Sequence, residues 1–259
     1  MRYAEKNMNT LILTIQLMTR IPINKQIDVD DKMLSRGVAY WPVVGAIIGL
    51  FQAGIFWLCI HIFPVSIAAV FAVLAELCVN GGFHLDGLCD TADAIYSART
   101  RERMLEIMKD SRVGTNGVIA AFFDLALKIL LVMHVAHPVL ILILAPIAGK
   151  MVQGILMYKA VYPRDKGLGH SYIGRISLAT CLLCTCIGGG VIVVVMVLTM
   201  HWWMVAAVPI CLLAAFGFRR YIESKIGGMT GDTLGAGSEV IEILFYALCV
   251  AATTLNIIK

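Results

Sequence analysis

The sequence predicts an all-α, polytopic membrane bundle of about seven transmembrane helices preceded by a short N-terminal interfacial helix, and three observations carry that. Of 259 residues, 59% are hydrophobic and 15% charged, whereas a soluble domain carries about 25% charged residues; mean hydropathy is +0.85. Several windows of spanning length contain no Asp, Glu, Lys or Arg, as in "VAYWPVVGAIIGLFQAGIFWLCIHIF" at 38–63. In hydrocarbon such a segment satisfies its backbone polar groups only as a helix. Third, the charged residues collect in a few connecting segments.

The elements follow in chain order. "MNTLILTIQLMT" at 8–19 is too short to span, lacks a small-residue cleavage site and ends at Arg20 and Pro22. It is expected to lie in the interface and to remain in the mature protein. Spans are expected at 38–63, 117–136, 138–158, 177–200 and 240–258, with shorter ones at 64–79 and 202–218. Tight connections then fall near 61–65, 134–138 and 199–203, none with a Lys or Arg. The segments 1–37, 80–116, 159–176 and 219–239 share the opposite face and carry six, five, four and three of the 21 basic residues. The positive-inside rule makes that face, and the N-terminus, cytoplasmic. The net charge of +4 is modest and acids accompany the bases in each segment, so no nucleic-acid-binding stripe is present. The chain has no internal repeat and reads as one domain, 1–259, whose catalytic face is built from 80–116, 159–176 and 219–239. All eight cysteines but Cys89 sit in apolar windows; "CLLCTC" at 181–186 lacks nearby His or acidic ligands and reads as packing.

The chemistry concentrates in "GGFHLDGLCDTADAIYSARTRERMLEIMKDSRVGTNG" at 81–117. A helix from about Leu85 places Asp86, Asp90 and Asp93, at i, i+4 and i+7, on one face. Three like charges on one face call for a cation, and oxygen donors suit Mg²⁺ or Mn²⁺. A solvated acidic face would carry interspersed lysines, and none falls between Asp86 and Asp93. Lys109, Asp110, Ser111 and Arg112 follow, just before a glycine-punctuated turn. Basic groups beside a carboxylate-held metal suit a diphosphate, although a juxtamembrane cluster alone would look similar. "YPRDKGLGHSYIGR" at 162–175 and "GGMTGDTLGAGSE" at 227–239 are read as glycine-rich loops able to bring backbone N–H groups to phosphates, or simply as turns. Glu76, Asp124, Lys128, Lys150 and Glu242 lie within spans and must face the protein interior or an interface. Asp124 and Lys128, one turn apart, read as a pair stabilising the bundle as readily as a functional one, and Lys150 as a candidate for reaching substrate phosphate.

With these motifs in view, the chain resembles the adenosylcobinamide-GDP ribazoletransferase (cobalamin-5'-phosphate synthase) family. The matching pieces are "TRIPI" at 19–23, "WPVVGAIIG" at 41–49, "GGFHLDGLCDTADA" at 81–94, "RERMLEIMKDSRVGTNG" at 101–117, "YPRDKGLG" at 162–169 and "GGMTGDTLGA" at 227–236. The resemblance implies a Mg²⁺-dependent phosphotransferase at the inner membrane of a prokaryote. Its partners would be adenosylcobinamide-GDP and α-ribazole or its 5'-phosphate, and its products GMP and adenosylcobalamin or the 5'-phosphate. Carried onto this chain, the metal ligands are Asp86, Asp90, Asp93 and Asp110, and the base is Asp93 or His84. Lys109, Ser111, Arg112, Lys150, Arg164, Thr230 and Asp232 are expected to bind substrate. Lys150 stands where arginine is frequent, which weakens its phosphate role because an ammonium lacks bidentate geometry. A CDP-alcohol phosphatidyltransferase is the nearest rival, but Asp90 stands where its motif requires alanine and its final D-x-x-x-D is missing. A transporter would spread polar groups along matching halves, whereas here they crowd one face.

Overall fold

Proline and glycine set many of the helix ends. Pro42 and Pro138 open helices at the first turn, where a missing N–H costs nothing. Gly81 and Gly227 close others in the left-handed conformation, at φ 70° and 72°. The computed structural model describes residues 2–199 and 202–255. Its helices are α1 Arg2–Met18, α2 Asp31–Gly37, α3 Trp41–Cys59, α4 Val65–Asn80, α5 Phe83–Ile95, α6 Arg101–Ile107, α7 Thr115–His134, α8 Pro138–Met151, α9 Gln153–Met157, α10 Leu178–Leu198, α11 Ala207–Ile226 and α12 Gly231–Thr254. Among the described residues there is no strand.

Six helical segments are long and apolar enough to cross a membrane, or seven if α4 and α5 are one span broken by a 91° bend. The chain is a multi-pass membrane protein of the predicted class. Its outer surface is apolar, with Leu50, Trp57, Phe122, Phe123 and Leu213 all more than half exposed or nearly so. Polar side chains such as Gln52, Glu76, Lys128 and Glu242 are buried instead, the arrangement a lipid solvent favours.

The α3–α8 pair is the tightest crossing. A Cβ on Gly45 would stand 2.6 Å from the Pro146 carbonyl oxygen, and one on Gly49 2.5 Å from that of Ile143. Small residues let the two backbones touch, and Gln52 adds a 2.7 Å hydrogen bond to the Leu142 carbonyl across the same seam. Gly49→Ala is therefore expected to cost roughly 1–3 kcal/mol, read as a lower thermal midpoint of the detergent-held protein; an unchanged midpoint would mean that the seam relaxes freely.

The span expected at 138–158 is present as Pro138–Met157, with a single turn residue, Val152, between α8 and α9. Two expectations shift. The N-terminal helix begins at Arg2 rather than near residue 8. The segment 227–239 is not a glycine-rich loop: α12 starts at Gly231, where Thr230 caps it by accepting from Thr233 N–H while Thr233 Oγ1 accepts from Thr230 N–H. The glycines after Thr230 serve packing. A Cβ on Gly235 would meet His84 Cα at 3.1 Å, and one on Gly87 would meet the Asp232 carbonyl at 2.7 Å, so α5 and α12 lie backbone to backbone.

Candidate active site

The bend between α4 and α5 turns the acidic helix across the bundle. Gly81 and Gly82 both adopt positive φ, 70° and 71°, a pair of left-handed positions that non-glycine residues resist. Asn80 Oδ1 accepts from Gly82 N–H at 2.7 Å and fixes the turn. Helix α5 then carries Asp86 and Asp90 toward Asp232 at the start of α12, and Asp93 toward the start of α7.

A cavity of ≈ 500 Å³ opens where α5, the start of α12 and the 162–172 loop meet. Its walls place Asp86 and Asp232 with the cations Lys109, Arg164 and Lys166. Arg164 Nη2 donates to Asp232 Oδ2 at 2.7 Å, and Thr230 Oγ1 lies 3.4 Å from that oxygen. His84, buried on the same wall, has no partner for Nδ1. Burial, then Lys150 and Lys128, hold its imidazole well below its ordinary pKa, so the ring is neutral.

Asp90 sits among like charges. Burial pushes its carboxyl up to about 7, with Asp232, Asp86 and Asp93 adding to the rise and Arg164 opposing it. Asp93 is spent differently. Its Oδ2 accepts from Gly114 N–H at 2.6 Å and its Oδ1 from Gly117 N–H at 2.8 Å, so it caps α7 from a neighbouring helix, where a carboxylate is favoured. Asp110 pairs with Arg112 at 2.7 Å on the exposed surface, and the Arg112 hydrogen bonds hold it down to about 2.

Below the cavity lies a second ionic cluster that the bundle buries entirely. Lys128 Nζ donates to Glu76 at 3.2 Å and to Glu242 at 3.4 Å, and also to Glu239. Lys150 Nζ donates to Ser238 Oγ at 2.7 Å and lies 3.4 Å from Glu242. Oxygens of Glu76, Glu239 and Glu242 fall within 4.8 Å of one another, the one such acidic group among the described residues, and could hold a metal ion. The Lys128 ammonium already stands among them.

Comparison with known proteins decides the family. Residues 10–250 match the profile of the family described as cobalamin-5-phosphate synthase. The chain belongs to that family. A Clostridium novyi protein named adenosylcobinamide-GDP ribazoletransferase is 42% identical over 92% of this chain and 95% of its own. Relatives of the same name from Clostridioides difficile and Listeria monocytogenes are 37% and 39% identical over the same shares. No solved structure matches.

Against this family member's geometry, the expected residues divide. Asp86, Asp232, Lys109, Arg164 and His84 come together at the cavity, and Asp90 is electrostatically joined to them. Ser111 and Arg112 are exposed beside it and do not line it. Asp93, expected as metal ligand and base, lies next to Asp90 with each of its oxygens accepting one backbone N–H. Asp110, expected to complete or flank the acidic site, is exposed and pairs with Arg112. Lys150 does not reach the cavity, because Ser238 and Glu242 bind its ammonium in the core, and Thr230 is fully buried as the cap of α12. Asp124 makes no direct ion pair with Lys128, whose ammonium goes to Glu76, Glu239 and Glu242, but the two charges still attract across the cluster. Tyr162, Lys166, Gln153 and Glu239 went unnoticed in the sequence. The Glu239–Glu242 spacing of one turn was a legible signal once 231–239 is read as helix.

The Asp90 environment sets a pH dependence. Its folded pKa of about 7 exceeds the ordinary 3.8, so the folded protein holds a proton that the unfolded chain releases. The stability this group contributes is present below 3.8 and lost as pH rises through 7. In EDTA the wild-type thermal midpoint should fall across that window relative to Asp90→Asn; parallel curves would refute the assignment.

Proposed function

We propose that this protein transfers the adenosylcobinamide-phosphate group of adenosylcobinamide-GDP to the ribose 5'-hydroxyl of α-ribazole or α-ribazole 5'-phosphate. The names of its relatives supply the reaction. The observation that carries it is the cavity in which Asp86 and Asp232 face Lys109, Arg164 and Lys166, a donor set for a metal-bridged diphosphate. The hydroxyl oxygen bonds to the cobinamide-side phosphorus, the bond to the GMP oxygen breaks, and GMP leaves with that electron pair. The hydroxyl proton passes to the neutral imidazole of His84.

Asp86, Asp90 and Asp232 fit Mg²⁺, which keeps several waters and needs only one or two carboxylates beside substrate phosphates; Mn²⁺ shares the donor preference. Bound there, the ion would neutralise diphosphate charge and polarise the phosphoryl oxygens. Lys109, Arg164 and Lys166 take the remaining anionic oxygens, and release of Arg164 from Asp232 frees both for that work. The whole chain acts as one membrane-embedded unit, with its active end and N-terminus at the cytoplasmic side of the prokaryotic inner membrane, as the Lys and Arg distribution favours.

The test is GMP release by nanodisc-held protein given adenosylcobinamide-GDP and α-ribazole, with Mg²⁺ or with EDTA. Metal-dependent release accompanied by cobamide formation is expected. Folded protein that releases no GMP would end this reading.

A further inference from the structure

The polar cavity has an apolar neighbour. A chamber of ≈ 310 Å³ lies under α1 and α2 and shares three aromatic walls with the cavity, Trp41, Phe83 and Tyr172. Trp41 and Tyr172 meet edge to face, ring centroids 6.0 Å apart. The far walls are aliphatic: Leu13, Leu17 and Met18 from α1, Met33 and Leu34 from α2. Among the described residues, the only polar side-chain groups on these walls are the Thr14 and Tyr172 hydroxyls and the Trp41 indole N–H. The Thr14 hydroxyl already donates to the Thr10 carbonyl at 2.8 Å.

We infer that this chamber is the acceptor subsite, holding the benzimidazole base of α-ribazole while its ribose reaches through the aromatic wall toward Asp86. The inference rests on the proposed transferase reading and assigns one half of the site within it. Two bicyclic aromatic bases enter the reaction, guanine and benzimidazole, and polarity separates them. Guanine presents three N–H donors and a carbonyl on one edge, and a chamber without an amide or charged side chain would leave them unpaired, at a cost of several hydrogen bonds. The glycosylated benzimidazole has a single ring-nitrogen acceptor and no donor, which the Trp41 N–H or the Tyr172 hydroxyl can satisfy. The polar cavity suits guanine instead: Gln153 lines it and its Oε1, buried there, has no partner for a guanine N–H to displace. The corrin ring with its amide side chains is too large for the chamber, so it stays outside.

The experiment measures equilibrium binding of free α-ribazole, and separately of GMP, to nanodisc-held protein in Mg²⁺, with no turnover required. Leu34→Trp fills the chamber from α2 and Leu17→Trp from the half-exposed face of α1. Each should weaken α-ribazole by about tenfold or more and leave GMP within about twofold, while melting like wild type. Leu34→Ala, which enlarges the chamber, should shift preference toward ribosides of bulkier bases, and this covers a tryptophan variant that fails to fold. Weakened GMP with unchanged α-ribazole would place guanine in the chamber and overturn the inference; so would no change in either ligand, or equal loss of both in variants that melt normally. Wild-type turnover with unaltered α-ribazole binding in the variants defeats this inference alone, whereas wild type that never releases GMP defeats the reading beneath it.

Discussion

Asp232→Asn and Asp90→Asn should each slow metal-dependent GMP release at least about a hundredfold, because each removes an anionic oxygen from a site whose work is positioning and charge neutralisation. The fold should survive both changes. Asp232 is a partly exposed residue in the first turn of α12, and Asp90 loses a repulsive charge when it becomes neutral. Raised Mg²⁺ should partly restore Asp90→Asn if the loss is one of metal affinity. Asp93→Asn should behave oppositely. An asparagine retains one oxygen for the buried Gly117 N–H but turns its NH₂ toward the exposed Gly114 N–H, losing the charge-assisted cap at a cost of about 0.5–2 kcal/mol. The thermal midpoint should drop, and turnover at low temperature should largely persist. Lost turnover at an unchanged midpoint in Asp93→Asn would move that residue into the chemistry.

Lys128→Met is expected to be the most destabilising single change outside the site, costing about 3–5 kcal/mol. Its ammonium is hydrogen-bonded to Glu76, Glu239 and Glu242, all at most 2% exposed. Removing it leaves three carboxylates crowded within 4.8 Å, with Asp124 nearby and only Lys150 in balance. Glu239→Gln, which subtracts one negative charge from the same cluster, should be far milder. Size-exclusion recovery after graded heating would compare the three proteins. A Lys128→Met protein as robust as wild type would show that the cluster is balanced by something other than this lysine.

The acidic helix was legible because its information is local. Asp86 and Asp90 fall on one helical face by spacing alone, and Lys109, Arg164 and Asp232 stood out as polar groups in an apolar chain. Spacing also grouped Asp93 with them but gave no sign that its side chain accepts from amides more than twenty residues away, at the start of α7. Glycine density after residue 227 was equally ambiguous. A glycine that lets backbone approach a phosphate and one that lets two helices touch look alike in sequence, and Gly87 and Gly235 prove to do the second. Lys150 shows the same limit, since its partners Ser238 and Glu242 lie on a helix some ninety residues later.

By itself the sequence determined the membrane class, the number of spans to within one, the end of the bundle that carries the charges and the family motifs, because hydropathy, charge and helical spacing are properties of short windows. Only the tertiary structure decided which partners each carboxylate meets: cations for Asp232, backbone N–H groups for Asp93, a buried ammonium for Glu76, Glu239 and Glu242. That outcome depends on how α5, α7 and α12 meet, and in a low-dielectric interior a few ångströms between partners separate a ligand from a cap.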